Sequence, residues 1–287
     1  MAKITSAADA DWLSACRRAV HGLKTMLSEH TTTAQRAVQT GDRGEGGDLT
    51  LEIDARAETI VFAELERLHG EGHRFSAISE ERGEVDFGGG WTPDAVRVVI
   101  DPLDGSLNAK RGLTHYALAL AVAVGPTMAD VVFGYVYDFG PREEWWARRG
   151  SGAHLNGSLL DAAATEMRGH DGRLEVVGIE AADPRWMRRS LDRLVDRAYR
   201  LRAFGAMAPS LCQVAGARFD GLVSLRGCRA VDVAAAQLIV RESGGHVSFP
   251  DYQDRLGAPL DLVPHSPIVA ARSEVGLSEL EAVCRPR

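Results

Sequence analysis

Val98-Val99-Ile100-Asp101-Pro102-Leu103-Asp104-Gly105-Ser106-Leu107-Asn108 is the stretch on which the reading of this chain turns. The β-branched run from Val96 into Ile100, closed by turn residues, reads as a buried strand. Asp101 and Asp104 then stand three residues apart at its C-terminal edge, where both carboxylates could aim at one cation. Pro102 stiffens the loop, Gly105 lets backbone approach a phosphate closely, and Ser106 adds a hydroxyl and an N–H. Taken alone, Asp104-Gly105 is equally an ordinary turn dipeptide, and Asp101-Pro102 an ordinary strand end.

Other acids extend the pattern. Glu80-Glu81 follows a second short apolar run, Phe75 to Ile78, although a solvated pair running into Glu84 reads the same way. Asp48 and Asp54 form a third group in "GDLTLEID", where Asp54 could simply cap the helix that it precedes. Asp232 opens the apolar-periodic segment Val231 to Glu242, and the helix dipole favours a carboxylate there without any function. Hard cations such as Mg²⁺ take oxygen ligands, so Glu80, Asp101, Asp104 and Asp232, with the Leu103 carbonyl, would suit two or three ions. A cluster of acids repels itself unless a cation is bound, which makes it costly as pure structure. Spacing leaves open whether the four acids meet.

Other chemistries find no footing. There is no GxSxG, GxxxxGK[ST] or HExxH segment, and no GxGxxG between a strand and a helix. His69 and His73 are separated by Gly70 and Gly72, a poor setting for a helical metal pair. Cys16, Cys212, Cys228 and Cys284 form no CxxC, so buried free thiols are expected rather than zinc or a disulfide framework. The charge is 33 − 40 = −7 over 287 residues, with no basic block to track a nucleic-acid polymer. Hydrophobic residues are 45% and charged residues 25%, ordinary for a folded chain rather than a disordered one. The longest apolar run, Tyr116 to Val124, is far short of the ~20 residues that span a bilayer. No apolar leader opens the sequence, so no membrane and a cytoplasmic location are expected.

Outward from the acids, the periodicity alternates. Trp12, Ala15, Cys16, Ala19, Val20, Leu23, Met26 and Leu27 predict a helix, and a Gly-rich polar stretch, Gly41 to Gly47, follows. A second helix is expected to start near Asp54. Beyond the two acid-tipped strands, Tyr116 to Val124, Val131 to Tyr137 and Glu144 to Ala147 read as a strand meander. The second half predicts strands over 174–179, 199–203, 219–224 and 267–271. Helices fall over 184–198, 209–215, 231–242 and 277–283, the third stopped by Gly244-Gly245. This order suggests layered α+β structure in two halves, residues 1–155 with most of the ligands and 156–287 completing the site.

Taken together, the motifs resemble a known family. "ISEERG", "VVIDPLDGSLN" and "VDVAAAQLIVRESGG" are similar to the three signatures of the inositol monophosphatase superfamily. "GDLTLEIDARAE", "ARRGSGAHLNG" and "FGAMAPSLCQVAGARFDG" resemble further family segments, in family order from about Asp48 to Gly245. The resemblance implies an αβαβα sandwich, the sugar phosphatase fold, often dimeric, that hydrolyses a small phosphate monoester with Mg²⁺ and is inhibited by Li⁺. It implies that Glu80, Asp101 and the Leu103 carbonyl hold one metal, that Asp101, Asp104 and Asp232 hold a second, and that Glu80 shares a third. Asp54 and Ser106 would orient and deprotonate the attacking water, with Glu81 assisting through a hydrogen bond. Leu103, Asp104, Gly105, Ser106, Gly205, Ala206, Met207 and Asp232 would surround the substrate, partly through backbone N–H groups.

The departures lie on the alcohol side. Val231 replaces the family's Trp, Leu225 stands where typical members carry an acid, and the family's Lys near the metal loop has Arg43 as its nearest candidate. "SLRGCRAVDVAA", with Arg226 and Arg229, is nearer the archaeal-type branch that acts on inositol phosphate and fructose 1,6-bisphosphate. Arg202 or Arg226 could meet a second phosphate. The substrate implied is inositol 1-phosphate, with fructose 1,6-bisphosphate, 3′-phosphoadenosine 5′-phosphate and histidinol phosphate as alternatives. A non-catalytic binder of a phosphorylated metabolite is the rival from another class.

Overall fold

Strand residues alternate between two faces, and a strand apolar on both needs a packed layer on each side. "ALALAVAV", residues 117–124, shows what those layers must be. Leu118, Leu120 and Val122 form a large-residue face, and Ala117, Ala119, Ala121 and Ala123 a small one. Bulky side chains on one face suit helices held at ordinary distance; alanines on the other allow close approach.

The computed structural model, which describes residues 7–30, 32–43, 45 and 49–284, realises this plan. Helix α1 (Trp12–Glu29), short α2 (Thr33–Arg36), an antiparallel pair β1 (Gln39–Arg43) and β2 (Leu49–Leu51), and α3 (Glu52–Gly70) come first. They lead into β3 (Phe75–Ser79), β4 (Gly83–Phe87), β5 (Val96–Asp104), α4 (Ser106–Arg111) and β6 (Ala117–Val124). The strands β7 (Val131–Asp138), β8 (Glu143–Arg148), β9 (Ala153–Leu155) and β10 (Ser158–Leu159) complete an eight-stranded sheet. Its order is β10-β9-β8-β7-β6-β5-β3-β4.

A five-stranded sheet of order β12-β11-β13-β15-β14 follows. It contains β11 (Leu174–Glu180), β12 (Ala198–Arg202), β13 (Gly221–Ser224), β14 (His246–Ser248) and β15 (Val269–Ala271). Helices α5 (Pro184–Leu194), α6 (Met207–Ala215), α7 (Ala230–Glu242) and α8 (Glu274–Cys284) belong to this half.

Three cores hold five layers together, the central one filling both gaps around α6 and α7. α1 and α3 bury Trp12, Leu23, Phe62 and Leu65 against Leu118, Leu120 and Tyr135 on the large-residue face. The alanine face packs on α6 and α7, which also cover Leu222 and Ala270 of the second sheet. α5 and α8 close its far side over Val177, Val223 and Val269. The result is the α+β, αβαβα sandwich expected from the sequence. The middle layer is tight: a Cβ on Gly134 of β7 would lie 2.4 Å from the Ala235 carbonyl oxygen of α7.

Local differences from the sequence reading have packing causes. α5 ends at Leu194 rather than running to Ala198, because Ala198 begins β12 and pairs in parallel with Leu174. α3 starts at Glu52, two residues before Asp54, which places Asp54 inside its first turn. The boundary at 155/156 falls inside the β9–β10 hairpin, whose last strand ends at Leu159, whereas the second sheet starts at Leu174. All four cysteines are free. Among the described residues no helix is long and apolar enough to cross a membrane.

Candidate active site

The first two acids are brought together by strand register. β3 and β5 run parallel with Ser79 opposite Ile100, so the next residues, Glu80 and Asp101, emerge side by side at the carboxyl ends of neighbouring strands. Asp104 needs a further device, since residues three apart on a regular strand point to opposite faces. Against β6, Asp101 pairs with Ala119 and Asp104 with Ala117, three residues of β5 facing a span of two. This bulge at Pro102 and Leu103 turns both aspartates toward the α6 and α7 layer, and Pro102 tolerates it because it has no N–H to pair. Asp101 and Asp104 are both buried.

Gly105 then reverses the chain with φ +84. A Cβ there would meet the Ala206 Cβ at 2.8 Å and the His115 carbonyl oxygen at 2.9 Å, so glycine is what lets this loop touch the start of α6. The α6 amides face the same loop: Met207 N–H and Ala208 N–H donate to the Asp104 carboxylate, at 3.2 and 2.6 Å. Gly205 N–H and Phe204 N–H donate to Glu180 at the end of β11, which also accepts from the Ser210 hydroxyl. Asn108 ties the loop from the other side through its amide, donating to the His115 and Phe204 carbonyls.

Asp232 arrives from the first turn of α7. Oxygens of Glu80, Asp101 and Asp232 lie within 4.8 Å of one another. Arg229, one turn earlier, reaches across this group: Nη1 is 2.7 Å from Glu80 Oε1, and Nη2 is 3.2 Å from Asp232 Oδ1. In front lies a cavity of about 310 Å³ lined by Gln39, Asp54, Glu80, Glu81, Asp101, Leu103, Ser106 and Lys110, among others.

Electrostatics follow from this crowding. Burial, then Glu80, Asp104 and Asp232, drive the Asp101 carboxyl well above its ordinary range. Burial and then Asp232 do the same to Asp104, against the opposing Ala208 and Met207 N–H groups. Burial raises Glu80 despite Arg229. Asp54 is pushed up to about 7 by burial, then by Glu81 and Glu80, with a backbone hydrogen bond from Leu51 and the Lys110 charge pulling the other way. Its Oδ1 is buried without a hydrogen-bond partner. An oxygen-only donor set, self-repelling and carrying an orphaned carboxylate oxygen, fits a hard divalent cation and does not fit zinc.

The structure thus brings Asp54, Glu80, Asp101, Leu103 and Ser106 to one cavity, with Asp232 in the adjoining acid group. Asp104 and Gly105, in the chain between the cavity-lining Leu103 and Ser106, pack against Met207 and Ala206. The N–H groups of Gly205 and Met207 are spent on Glu180 and Asp104, because buried carboxylates there need donors. Arg226 lies over the Trp186 ring and Arg202 Nη1 donates to the Leu201 carbonyl; neither lines the cavity. Asp48 and the Arg43 side chain lie outside the described residues. Sequence reasoning passed over Lys110 and Glu180. Lys110 follows Ser106 by four residues on α4, hence on the same helix face, and Glu180 ends an apolar strand just as Asp101 does.

A five-layer sandwich whose acids converge where strand ends meet helix starts defines the sugar phosphatase class of fold. A model of the inositol monophosphatase family matches residues 10–284, and the chain belongs to that family. A fructose-1,6-bisphosphatase/inositol-1-monophosphatase of Thermococcus kodakarensis is 37% identical over 203 residues, 70% of each chain. An inositol-1-monophosphatase of Mesorhizobium japonicum is 30% identical over 254 residues, 84% of each chain. The Nus factor SuhB of Escherichia coli K12 is 32% identical over 216 residues, 74% of this chain and 75% of the relative. In fold, the chain superposes on a solved inositol monophosphatase-fructose 1,6 bisphosphatase with a TM-score of 0.78 at 24% identity, covering 95% and 99% of the two chains. The protein is a phosphoric monoester hydrolase with an acidic cluster able to hold metal.

Proposed function

We propose that the chain is a Mg²⁺-dependent phosphatase of a small polyol or sugar phosphate, with inositol 1-phosphate as substrate. The observation that carries this reading is the convergence of Glu80, Asp101 and Asp232 beside a cavity lined by Asp54 and Ser106. Two or three Mg²⁺ ions held there would offset the phosphate charge and make an attacking water more acidic. Glu80, Asp101 and the Leu103 carbonyl would hold one ion; Asp101, Asp104 and Asp232 a second; Glu80 would share a third. Asp104 can accept from the α6 amides and still offer lone pairs, since a carboxylate has about four acceptor sites.

The chain's own residues then carry the proton and the positioning. Asp54, with Ser106, takes the proton from water, since both line the cavity and one Asp54 carboxylate oxygen has no hydrogen-bond partner. Glu81 supports Asp54 as a neighbouring acid. Backbone N–H groups at Gly105, Ser106 and Ala206 would face phosphate oxygens. Gly205 and Met207 would shape the wall, their N–H groups held by Glu180 and Asp104. A homodimer in the cytoplasm, inhibited by Li⁺, completes the reading.

Fructose 1,6-bisphosphate is the second reading, favoured by the names of the Thermococcus relative and of one from Methanothermobacter thermautotrophicus at 32% identity. Phosphate release from inositol 1-phosphate, fructose 1,6-bisphosphate, 3′-phosphoadenosine 5′-phosphate and histidinol phosphate, with and without Mg²⁺ and Li⁺, separates these. Release from none would favour a non-catalytic binder. Asp101→Asn should cost roughly a thousandfold in Mg²⁺-dependent turnover while circular dichroism stays that of the parent. Near-parental turnover in that variant would sink the metal assignment.

A further inference from the structure

Arg229 occupies an odd place for a surface-capable side chain. It is the residue before α7, its side chain is 20% exposed, and its guanidinium lies between acids from opposite halves of the molecule. Glu80 comes from the end of β3 in the eight-stranded sheet, and Asp232 from α7 in the middle layer. Nη1 takes Glu80 Oε1 at 2.7 Å. Both oxygens of Asp232 are engaged as well, Oδ1 by Nη2 at 3.2 Å and Oδ2 by the Arg229 backbone N–H at 3.1 Å and Nε at 3.4 Å. These are two of the three carboxylates that can share an ion.

Charge decides what this contact means. Three carboxylates within 4.8 Å of one another, two of them paired to a permanent cation, are held together without any ion. A divalent cation that draws on Glu80 and Asp232 must take over oxygens now accepting from the guanidinium. It would also bring two positive charges against a third at contact distance. Guanidinium and metal therefore compete for the same acids. The fork geometry matters too: an ammonium on a shorter-reaching, non-planar head cannot bridge both carboxylates in the same way.

We propose that Arg229 is a resident cation of the metal site: it holds the acid cluster together in the metal-free protein, and the metal has to displace it to bind. Arg229 thereby sets the metal concentration at which the site fills, a positioning role exercised through Glu80 and Asp232. The proposal rests on the reading of these acids as metal ligands.

Calorimetric titration of the metal-free full chain with Mn²⁺ tests it, alongside thermal melts in chelator. Arg229→Gln is expected to bind Mn²⁺ about tenfold more tightly than the parent, the equivalent of one charge-assisted hydrogen bond. Its melting temperature in chelator should fall, and Mn²⁺ should restore it by a larger increment than in the parent. Arg229→Lys, which keeps the charge but loses the fork, should fall between the two in affinity and guards against a Gln variant that folds poorly. Equal or weaker Mn²⁺ binding in both variants overturns the proposal while leaving the metal site intact. Absence of binding in the parent, or parental binding in Asp101→Asn, would instead overturn the metal reading on which it rests.

Discussion

Asp54 shows how one side chain is tuned by what surrounds it. Its carboxyl sits in the first turn of α3, where the helix start and a Leu51 backbone hydrogen bond favour the charged form. Burial, Glu81 and Glu80 oppose that and win, raising it to about 7. Lys110 is the opposing cation, placed one turn after Ser106 on α4 and lining the same cavity. Removing it should therefore raise the Asp54 carboxyl further. In Lys110→Met the acid limb of the rate profile is expected to move to higher pH, with turnover at pH 6 reduced roughly threefold and that at pH 8.5 little changed. A uniform loss at every pH would show that Lys110 acts on the substrate phosphate instead of on the base.

At the scale of elements, the bulge in β5 and the turn at Gly105 are what make the acids useful. Without the bulge, Asp101 and Asp104 would face opposite layers; with it, both face α6 and α7. Gly105→Ala places a Cβ against the Ala206 Cβ and the His115 carbonyl in a left-handed conformation. The variant should lose about 1–3 kcal/mol of stability, seen as a melting temperature lower by about 2–6 °C, and should lose activity as Ser106 shifts. Unchanged melting and turnover would mean that the loop and α6 do not need this contact. The sequence made the strands, the central helices and the acid set legible, because apolar period and motif order are local. The bulge was not legible, since it exists only as a mismatch with β6. Nor was the use of α6 amides by Asp104, which joins residues more than a hundred apart. Arg229 read as a branch marker, because its pairing with Glu80 spans 149 positions.

For the molecule as a whole, the buried acids create a pH dependence whose sign is unusual for carboxylates. Burial is the first cause raising Asp54, Glu58, Glu80, Asp101, Asp104, Asp138 and Glu180, which stand in both halves and the middle of the sandwich. A raised carboxyl holds its proton in the folded chain at a pH where the unfolded chain has released it. The folded state then binds more protons, so stability declines as pH rises. Each such group's contribution is fully present below its unfolded value of 3.8 or 4.5 and is lost as pH passes the folded value, about 7 for Asp54. Surface acids held low by arginine, such as Asp183 at about 2, act in the opposite sense but only at more acid pH. The metal-free chain should therefore melt highest near pH 4, where the two opposing sets of acids cross, and lose about 3–6 °C between pH 5 and 8. Cations bound at the acid cluster would offset both the burial and the mutual repulsion of Asp54, Glu80, Asp101 and Asp104, leaving only Glu58, Asp138 and Glu180 to sustain the decline. Saturating Mg²⁺ should accordingly flatten the curve, raising the melting temperature at pH 8 far more than at pH 5. A metal-free melting temperature that stays level or climbs across this range would show that the buried acids are ionised and balanced within the protein itself, with no call for a cation from outside.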